Sequence, residues 1–350
     1  MTARAGRRRP GARLTYRRAG VDIESKSQLL ANLAPGIAAT HTEAVAAGIG
    51  AFAGALRFDS REAGFLVATV DGVGTKTLLA RQANRDAVIG SDIVAHCAND
   101  LASSGARPLA FLDYIAMARL EPSVVSALIQ SMTQACGAVG AVLLGGETAE
   151  MPGVYAGDAY DVVGTMIGVA PPAGLITGSS VKPGDRLVGL ASTGLHTNGF
   201  SLARRVLDRA RASLNDHVPE LGTTLGDALL APHRCYAPGV LGLLERIRVH
   251  AVAPITGGGL VDNLARVLPE GCRARVIRGW PQPPPIFGWL QRAGRIPDED
   301  MVKTFNLGVG MVIVTSQRDA EVASQHFVNI GIPAFDIGEI VEGLRGVDLA

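Results

Sequence analysis

Several features that would place this sequence in a specialised class are scarce or missing. Its four cysteines form no Cys-x-x-Cys pair, so neither a disulfide framework nor a zinc site is indicated, and a reducing cytoplasm is the predicted location. The formal net charge is only +1, and the lack of a basic field argues against a binder of nucleic acid or of a membrane surface. Small molecules are therefore the expected ligands.

Long apolar runs are missing too. No run approaches the ~18 residues that a membrane-spanning helix requires. The arginines near the start are followed by Pro10-Gly11 rather than by the apolar core of a signal peptide. Residues 1–13 are predicted to form a disordered basic tail, with a nucleic-acid-binding arm as the alternative.

Glycine is abundant, whereas aromatic residues are few. The chain has 43 glycines in 350 residues, about 12% against an average near 7%, while Phe, Trp and Tyr together make up 5%. Many tight turns close to a ligand are expected from this composition. The 47% hydrophobic content is enough for large cores, and the length allows two domains of a soluble globular protein.

Short apolar runs alternate with amphipathic stretches, which predicts an α/β (α+β) fold. Strands are predicted at 64–70, 108–115, 141–144, 161–169, 186–191, 309–314 and 334–340, with helices between them. The turn-rich stretch from Pro171 to Gly184 marks the predicted boundary. It separates an N-terminal domain over 14–174, with a mixed sheet, from a C-terminal α/β domain over 175–350.

A Gly-rich loop, Asp71-Gly72-Val73-Gly74-Thr75-Lys76, directly follows the first predicted strand. Gly72 and Gly74 permit a tight turn and a close approach to a ligand. Lys76 offers a charge to phosphate, and the Asp71 carboxylate suits Mg²⁺. The spacing is neither that of a Walker A motif nor that of a dinucleotide fold. The loop predicts a phosphate-and-metal site, with an ordinary turn as the alternative.

The predicted helix at 91–104 carries Asp92, His96, Asn99 and Asp100 within a stripe roughly 100° wide. Its adjoining apolar face would anchor it to a sheet and present the carboxylates beside Asp71. Grouped carboxylates suit Mg²⁺ that bridges nucleotide phosphate oxygens. A solvated polar face is the alternative.

A second loop of similar layout is predicted after the strand at 141–144, which is apolar and expected to be buried. Gly145, Gly146 and Glu147 repeat the order of strand, glycine and carboxylate. Glu147 is therefore a candidate metal ligand or substrate-orienting group. A bare Gly-Gly turn is the alternative.

Two further turns precede predicted helices in the second half. The stretch from Ser192 to Gly199 contains His196, which could act as a general acid or base or hydrogen-bond a phosphate. A structural histidine is the alternative. The turn from Thr256 to Gly259 could receive an anion at the start of a helix, or form a helix entry without a ligand.

Together these motifs resemble the phosphoribosylformylglycinamidine cyclo-ligase family, also called the aminoimidazole ribonucleotide synthetases. The resemblance covers nearly the whole chain from about Tyr16. It is carried by the segments 16–23, 71–76, 99–101, 111–114, 145–152, 194–199, 255–260 and 305–311.

The resemblance implies an ATP-dependent ring closure of formylglycinamidine ribonucleotide to aminoimidazole ribonucleotide in purine biosynthesis, with release of ADP and phosphate. ATP would activate the amide oxygen as a phosphate ester, and an amidine nitrogen would then close the imidazole. Asp71, Asp100 and Asp92 would hold Mg²⁺, and catalysis would depend on His196, Asp71 and Lys76. Nucleotide contacts would come from Gly72, Gly74, Thr75, Lys76, Asn99, Asp100, Gly145, Gly146 and Glu147.

The resemblance also implies a homodimer in which N-terminal strands of both subunits form a β-barrel. Relatives carry basic residues and a Gly-Gly-Phe-Gly-Gly run between Leu30 and Gly54, whereas this chain has alanine at positions 51 and 53. One alternative is another ATP-using enzyme of the superfamily, such as selenophosphate synthetase, thiamine-phosphate kinase or the glutamine-dependent enzyme one step earlier. A non-catalytic nucleotide-binding homologue is the other.

Overall fold

The computed structural model describes residues 15, 45–47, 54–57, 64–277 and 283–349. The predicted tail at 1–13 and the family segment at 16–23 lie outside these residues, as does most of the altered stretch between Leu30 and Gly54. No helix in the described ranges is both long and apolar enough to cross a bilayer.

The first half of the chain forms one six-stranded sheet. Its strands are β1 (Val45–Ala47), β2 (Gly54–Arg57), β3 (Phe65–Gly72), β4 (Arg107–Met117), β5 (Val142–Glu150) and β6 (Tyr160–Ala170). Their order is β1-β2-β3-β6-β4-β5, with only β4 and β5 parallel. The four strands predicted in this half are confirmed, and the sheet is mixed as expected.

One prediction about this sheet was wrong. The strand at 141–144 was expected to be buried and to end in a Gly-Gly turn. In the structure β5 continues through both glycines to Glu150 and forms the edge of the sheet, where Val142 and Leu144 are exposed. An apolar run alone does not distinguish a central strand from an edge strand.

In the described part of the chain, three helices pack on this sheet: α1 (Lys76–Gln82), α2 (Ala87–Ser103) and α3 (Pro122–Ala138). The middle one lies unusually close to β6, because two strand residues lack side chains. A Cβ at Gly164 would be 2.8 Å from Ile93, and one at Gly168 would be 2.4 Å from Leu101. The apolar face of α2 therefore anchors it to the sheet, as predicted, although the helix begins at Ala87 rather than Ser91.

The second half forms a second six-stranded sheet. Its strands are β7 (Arg186–Ala191), β10 (Val249–Pro254), β11 (Cys272–Val276), β12 (Val309–Thr315), β13 (Ala334–Glu342) and β14 (Gly346–Leu349), while β8 (His217–Val218) and β9 (Thr223–Thr224) pair separately. The order is β10-β12-β7-β13-β11-β14. The predicted β7, β12 and β13 are confirmed. The described helices of this half are α4 (Phe200–Ala210), α5 (Leu225–Leu229), α6 (Ala237–Leu244), α7 (Gly259–Arg266), α8 (Ile286–Gly294), α9 (Asp298–Thr304) and α10 (Ala320–Asn329).

One apolar core runs from the first sheet into the second half. It includes Val67 of β3, Leu101 of α2 and Phe327 of α10. Because α2 packs on β3 and β6 with one side and on α6 and β10 with another, its polar stripe is enclosed rather than solvated. This position of α2 brings polar residues from both halves of the chain together.

Candidate functional site

Three possible metal ligands meet where the end of β3 faces the middle of α2. Asp71 is the penultimate residue of β3, and His96 and Asp100 lie one turn apart on α2. One ligand atom from each lies within 4.8 Å of the other two, and His96 Nε2 is 3.7 Å from Asp71 Oδ2. Asp71 and Asp100, both predicted to bind metal, are therefore adjacent, and an imidazole joins them.

Asp100 is buried against the negative charge of Asp71. Its Oδ1 has no hydrogen-bond partner among the described residues. Burial, together with the neighbouring Asp71 carboxyl, raises the pKa of Asp100 well above its usual range. A cation would relieve this arrangement, because an uncompensated buried charge costs several kcal/mol. Two carboxylates and one imidazole are ligands that divalent metal ions accept, so the residues fit such an ion.

Asp92 was predicted to join the same metal site, and the structure corrects this. Its Oδ2 accepts a hydrogen bond from Lys76 Nζ at 2.5 Å, and its Oδ1 accepts one from the backbone N–H of His233 at 2.8 Å. Lys76 is fully buried and donates its other two protons to the carbonyl oxygens of His196 and Ala231. Lys76 has no proton left for phosphate, and both oxygens of Asp92 already accept hydrogen bonds from the protein, so the pair forms an internal salt bridge.

Asn99 was predicted to contact nucleotide but instead fixes the start of α6. Its Oδ1 accepts hydrogen bonds from the backbone N–H groups of Tyr236 and Ala237, at 2.6 and 3.2 Å. Its Nδ2 donates to the carbonyl of Arg234 at 2.8 Å and to His233 Nε2 at 3.2 Å. The amide is thus fully used inside the protein.

A row of hydrogen bonds runs from Asn99 to His96, whose ring lies beside the carboxylates. Since Asn99 donates to His233 Nε2, the neutral ring of His233 carries its proton on Nδ1, 3.3 Å from Thr197 Oγ1. The same hydroxyl lies 3.2 Å from His96 Nδ1. Burial, followed by the charges of His196, His96 and Lys76, lowers the pKa of His233 well below 6.5 and keeps it neutral. The row therefore holds the His96 ring with Nε2 towards Asp71.

His196 lies beside this row, in the turn between β7 and α4, as the sequence predicted. Only 2% of it is exposed, and its ring stacks on that of His233 with centroids 4.2 Å apart. Its backbone has a φ of 60°, a left-handed conformation that is uncommon for a residue with a side chain. Such strain is often found at functional sites.

The proton on His196 can be located from its contacts. Its Nε2 accepts a hydrogen bond from the backbone N–H of Thr193 at 3.3 Å, so the neutral ring carries its proton on Nδ1. That atom has no partner in the described part of the chain. Burial first, and then the charge of Lys76, lowers the pKa of His196 well below 6.5. His196 is therefore a neutral hydrogen-bond donor whose Nδ1–H is not used by the described residues.

The glycines of the first loop lie beside the cluster and are accessible. Gly72 ends β3, Gly74 has a φ of 67°, and both are exposed. No atom comes within 4 Å of the position a Cβ would take at Gly74. Thr75 follows, with its Oγ1 3.0 Å from Ser201 Oγ. This stretch of backbone is open to a ligand next to Asp71, whereas Lys76 is not.

Gly145, Gly146 and Glu147 are not part of the cluster in the single chain. Across the sheet Gly72 pairs with Val163, which pairs with Tyr114, which pairs with Glu147. Three strand spacings of ~4.8 Å separate Gly72 from Glu147 by about 14 Å. Gly146 has a packing role, since a Cβ there would lie 1.6 Å from Asp113 Oδ1.

The turn from Thr256 to Gly259 faces the loop that carries His196. A Cβ at Gly257 would lie 3.2 Å from Asn198 Oδ1. Asn263 Nδ2 donates to carbonyl oxygens of the turn and fixes its shape. The two turns predicted to receive anions are therefore neighbours.

His233 was not among the residues predicted from the sequence. It lies in the irregular stretch between α5 and α6, where no periodicity marks it. Its side-chain partners Thr197 and Asn99 are 36 and 134 positions away. Only its residue type, one of seven histidines in the chain, could have drawn attention to it.

Known families and proteins match the chain along most of its length. Family models described as AIR synthase related protein, N-terminal domain and C-terminal domain, match residues 50–170 and 182–348. The phosphoribosylformylglycinamidine cyclo-ligase of Geotalea uraniireducens is 43% identical, over 95% of this chain and 96% of that protein. The protein of the same name from Nitrosococcus oceani is 46% identical, over 94% and 92%.

Solved structures share the fold at lower identity. Thiamine-monophosphate kinase from Stenotrophomonas maltophilia has a TM-score of 0.61 at 18% identity and covers 91% of this chain and 95% of its own. The hydrogenase maturation protein HypE of E. coli has a TM-score of 0.61 at 22% identity, with 93% and 94% covered. At these identities the likeness shows the fold alone.

Proposed function

Because this chain belongs to the AIR synthase-related family, we infer that it catalyses the reaction for which its full-length relatives are named, the cyclo-ligase step of purine biosynthesis. It is a ligase that forms a C–N bond, closing formylglycinamidine ribonucleotide to 5-aminoimidazole ribonucleotide, with ATP as co-substrate. The match to cyclo-ligases over nearly the whole chain is the observation that carries this inference.

The proposed chemistry has two steps. The amide oxygen of the substrate attacks the γ-phosphorus of ATP, and ADP leaves. An amidine nitrogen then attacks the carbon of the phosphorylated amide; a C–N bond forms, the C–O bond breaks, phosphate departs and the nitrogen loses a proton. Reactions of this kind are accelerated mainly by positioning the reactants and by stabilising the charge that develops.

Asp71 and Asp100 are the residues that would hold Mg²⁺ together with ATP. A bound divalent ion supplies positive charge to phosphate oxygens. The exposed backbone of Gly72, Gly74 and Thr75 lies beside Asp71 and can approach the nucleotide closely. Lys76, which has no free donor, supports catalysis by holding the His196 backbone in place.

His196 is proposed to touch the substrate through Nδ1. Its N–H lacks an acceptor among the described residues and its ring is neutral at pH 7. A hydrogen bond from this group to the amide oxygen would polarise the carbon that the amidine nitrogen attacks. The group acts as a neutral donor rather than as an imidazolium acid.

A homodimer through the first sheet is proposed as the active assembly. Val70 on β3 is 62% exposed, and Val142 and Leu144 on β5 are 58% and 65% exposed. Exposed apolar residues on a sheet mark an interaction surface. A barrel made from the N-terminal strands of two subunits would cover them and draw Glu147 into the interface. Sedimentation should show a dimer that Leu144→Glu weakens; a monomer that turns over at full rate would contradict this.

The net charge of +1 gives no basis for a nucleic-acid or membrane partner. A cytoplasmic location remains a prediction from the cysteine pattern.

The function is tested by following ADP release by the purified protein with Mg-ATP, with and without formylglycinamidine ribonucleotide. Substrate-dependent ADP should match the aminoimidazole product one to one. A folded protein that releases no ADP in response to the substrate would overturn the inference. ADP release without the aminoimidazole would indicate a different acceptor for the phosphoryl group.

A further inference from the structure

His96 has no part in the function proposed above, yet its ring is directed at the carboxylate pair. Its side chain is 7% exposed, and Nε2 lies 3.7 Å from Asp71 Oδ2. One of its nitrogens is also within 4.8 Å of a ligand oxygen of Asp100. The ring orientation is set from behind by Thr197 and by the neighbouring ring of His233, 5.2 Å away.

We propose that His96 Nε2, with Asp71 and Asp100, directly binds a divalent cation, and that this nitrogen ligand makes the site favour first-row transition ions over Mg²⁺. The biological setting of this site rests on the proposed function, but cation binding itself does not.

The distance between the His96 and Asp71 ligand atoms suits a shared ion. Ligands about 2.1 Å from one metal lie about 3.0 Å apart when adjacent and about 4.2 Å apart when opposite. The 3.7 Å between His96 Nε2 and Asp71 Oδ2 falls between these limits. Independently, the buried Oδ1 of Asp100 has no partner among the described residues, which marks a place for a group that the chain does not supply.

The ligand types decide which ion is favoured. Mg²⁺ prefers oxygen ligands and keeps several waters. Imidazole suits ions such as Fe²⁺, Co²⁺ and Zn²⁺, and affinity for nitrogen and oxygen sites rises from Mn²⁺ towards Co²⁺. A site with two carboxylates and one imidazole therefore gains more from a transition ion than an all-oxygen site would.

The structure already contains a hydrogen-bond acceptor for Nδ1, the second nitrogen of the His96 ring. Histidines that bind metal almost always donate their other N–H to a fixed acceptor. When Nε2 binds a cation, the proton of His96 is on Nδ1, 3.2 Å from Thr197 Oγ1. That oxygen has two lone pairs, which His96 and His233 can use, and the Asn198 amide lies further away at 3.5 Å.

Pulsed electron paramagnetic resonance of bound Mn²⁺ tests the proposal, with the full chain, Mn²⁺ alone and no nucleotide. The wild-type protein should show a ¹⁴N coupling that changes to a ¹⁵N coupling when histidine is labelled with ¹⁵N. The coupling should vanish in His96→Gln and persist in His217→Gln, a matched control because His217 is exposed. Loss of Mn²⁺ affinity in His96→Gln should be about tenfold or more.

Competition experiments against bound Mn²⁺ test whether the site prefers transition ions to Mg²⁺. Co²⁺ should displace it from the wild type at about one tenth of the Mg²⁺ concentration or less, and this advantage should shrink in His96→Gln.

Several outcomes would overturn the proposal: no Mn²⁺ binding by the wild type, bound Mn²⁺ without a nitrogen coupling, a coupling that survives His96→Gln, or displacement by Co²⁺ and Mg²⁺ at equal concentrations. The wild type with ¹⁵N-labelled histidine shows whether a histidine nitrogen binds the ion even if His96→Gln does not fold. The protein could show the histidine coupling and still make no aminoimidazole product. That result would support the metal site and would count only against the cyclo-ligase function.

Discussion

Asp92 and Asp100 lie two turns apart on one face of α2, and both are buried, but their surroundings are opposite. Each oxygen of Asp92 accepts a hydrogen bond, and Lys76 supplies a positive charge at 2.5 Å. Asp100 faces a second carboxylate, and one of its oxygens has no partner in the described chain. The first carboxylate has its partners within the fold, whereas the second has an oxygen without a partner among the described residues.

This difference separates structural from functional polar residues at the site. Lys76, Asp92 and Asn99 have all their polar groups engaged by the protein. Asp100 Oδ1 and His196 Nδ1 do not. An unpartnered buried polar atom is unfavourable in the folded state, so Asp100 Oδ1 and His196 Nδ1 are the atoms at which we expect a ligand to supply the missing partner.

The largest expected effect is at His196, whose Nδ1 has no partner among the described residues. His196→Ala should reduce ring closure by about 10²–10⁴, the usual contribution of one positioned donor or proton-transfer group. His196→Asn should retain more activity, because asparagine tolerates a positive φ and offers an amide N–H near the position of Nδ1. Steady-state rates of product formation measure both. Equal loss in the two variants, or His196→Ala within a few-fold of wild type, would refute the donor role.

The next largest effect is expected at the buried Lys76–Asp92 pair. Lys76→Met should lower the free energy of unfolding by about 3–5 kcal/mol, because it leaves the Asp92 carboxylate buried without its counter-ion. Urea unfolding measures the change, and Lys303→Met, at an exposed position, should be within about 0.5 kcal/mol of wild type. Equal stability of the two variants would mean that Asp92 does not depend on Lys76.

A smaller effect concerns pH. The folded-state pKa of His233 is lowered below 6.5, so His233 stays neutral in the folded protein while the unfolded chain takes up a proton. The unfolding free energy should therefore fall as pH drops below about 6.5, and His233→Gln should reduce this slope by up to about 1.4 kcal/mol per pH unit. Urea unfolding between pH 7.5 and 5.5 checks it. An unchanged slope would show that His233 binds the same number of protons in the folded and unfolded states.

The smallest effect is expected at β5. Glu147 is exposed and about 14 Å across the sheet from Gly72, so Glu147→Gln should leave Mn²⁺ binding in the absence of nucleotide within about twofold of wild type. Titration of free Mn²⁺ measures this. Abolished binding would restore Glu147 as a metal ligand.

Much of the fold could be predicted from the sequence, because apolar periodicity reports which face of an element is buried. The same stripe on α2 also predicted that Asp100 would approach Asp71. It could not tell Asp92 from Asp100, because the partner that makes Asp92 structural, Lys76, lies on another helix and is selected by tertiary packing. His233 was beyond prediction for the same reason: its role depends on contacts between distant segments and not on any local pattern.

We expect Asp100 to require an external cation and Asp92 not to, and urea unfolding of wild type and Asp100→Asn at pH 8, with and without Mn²⁺, is the measurement that checks this requirement. Without cation the variant should be at least as stable as wild type, since a neutral amide can lie buried beside the Asp71 carboxylate without the cost that raises the pKa of Asp100. With Mn²⁺ at 100 times its dissociation constant, wild type should gain about 2.7 kcal/mol and the variant almost nothing. Equal gains in both proteins, or no gain in wild type, would show that Asp100 does not hold the cation.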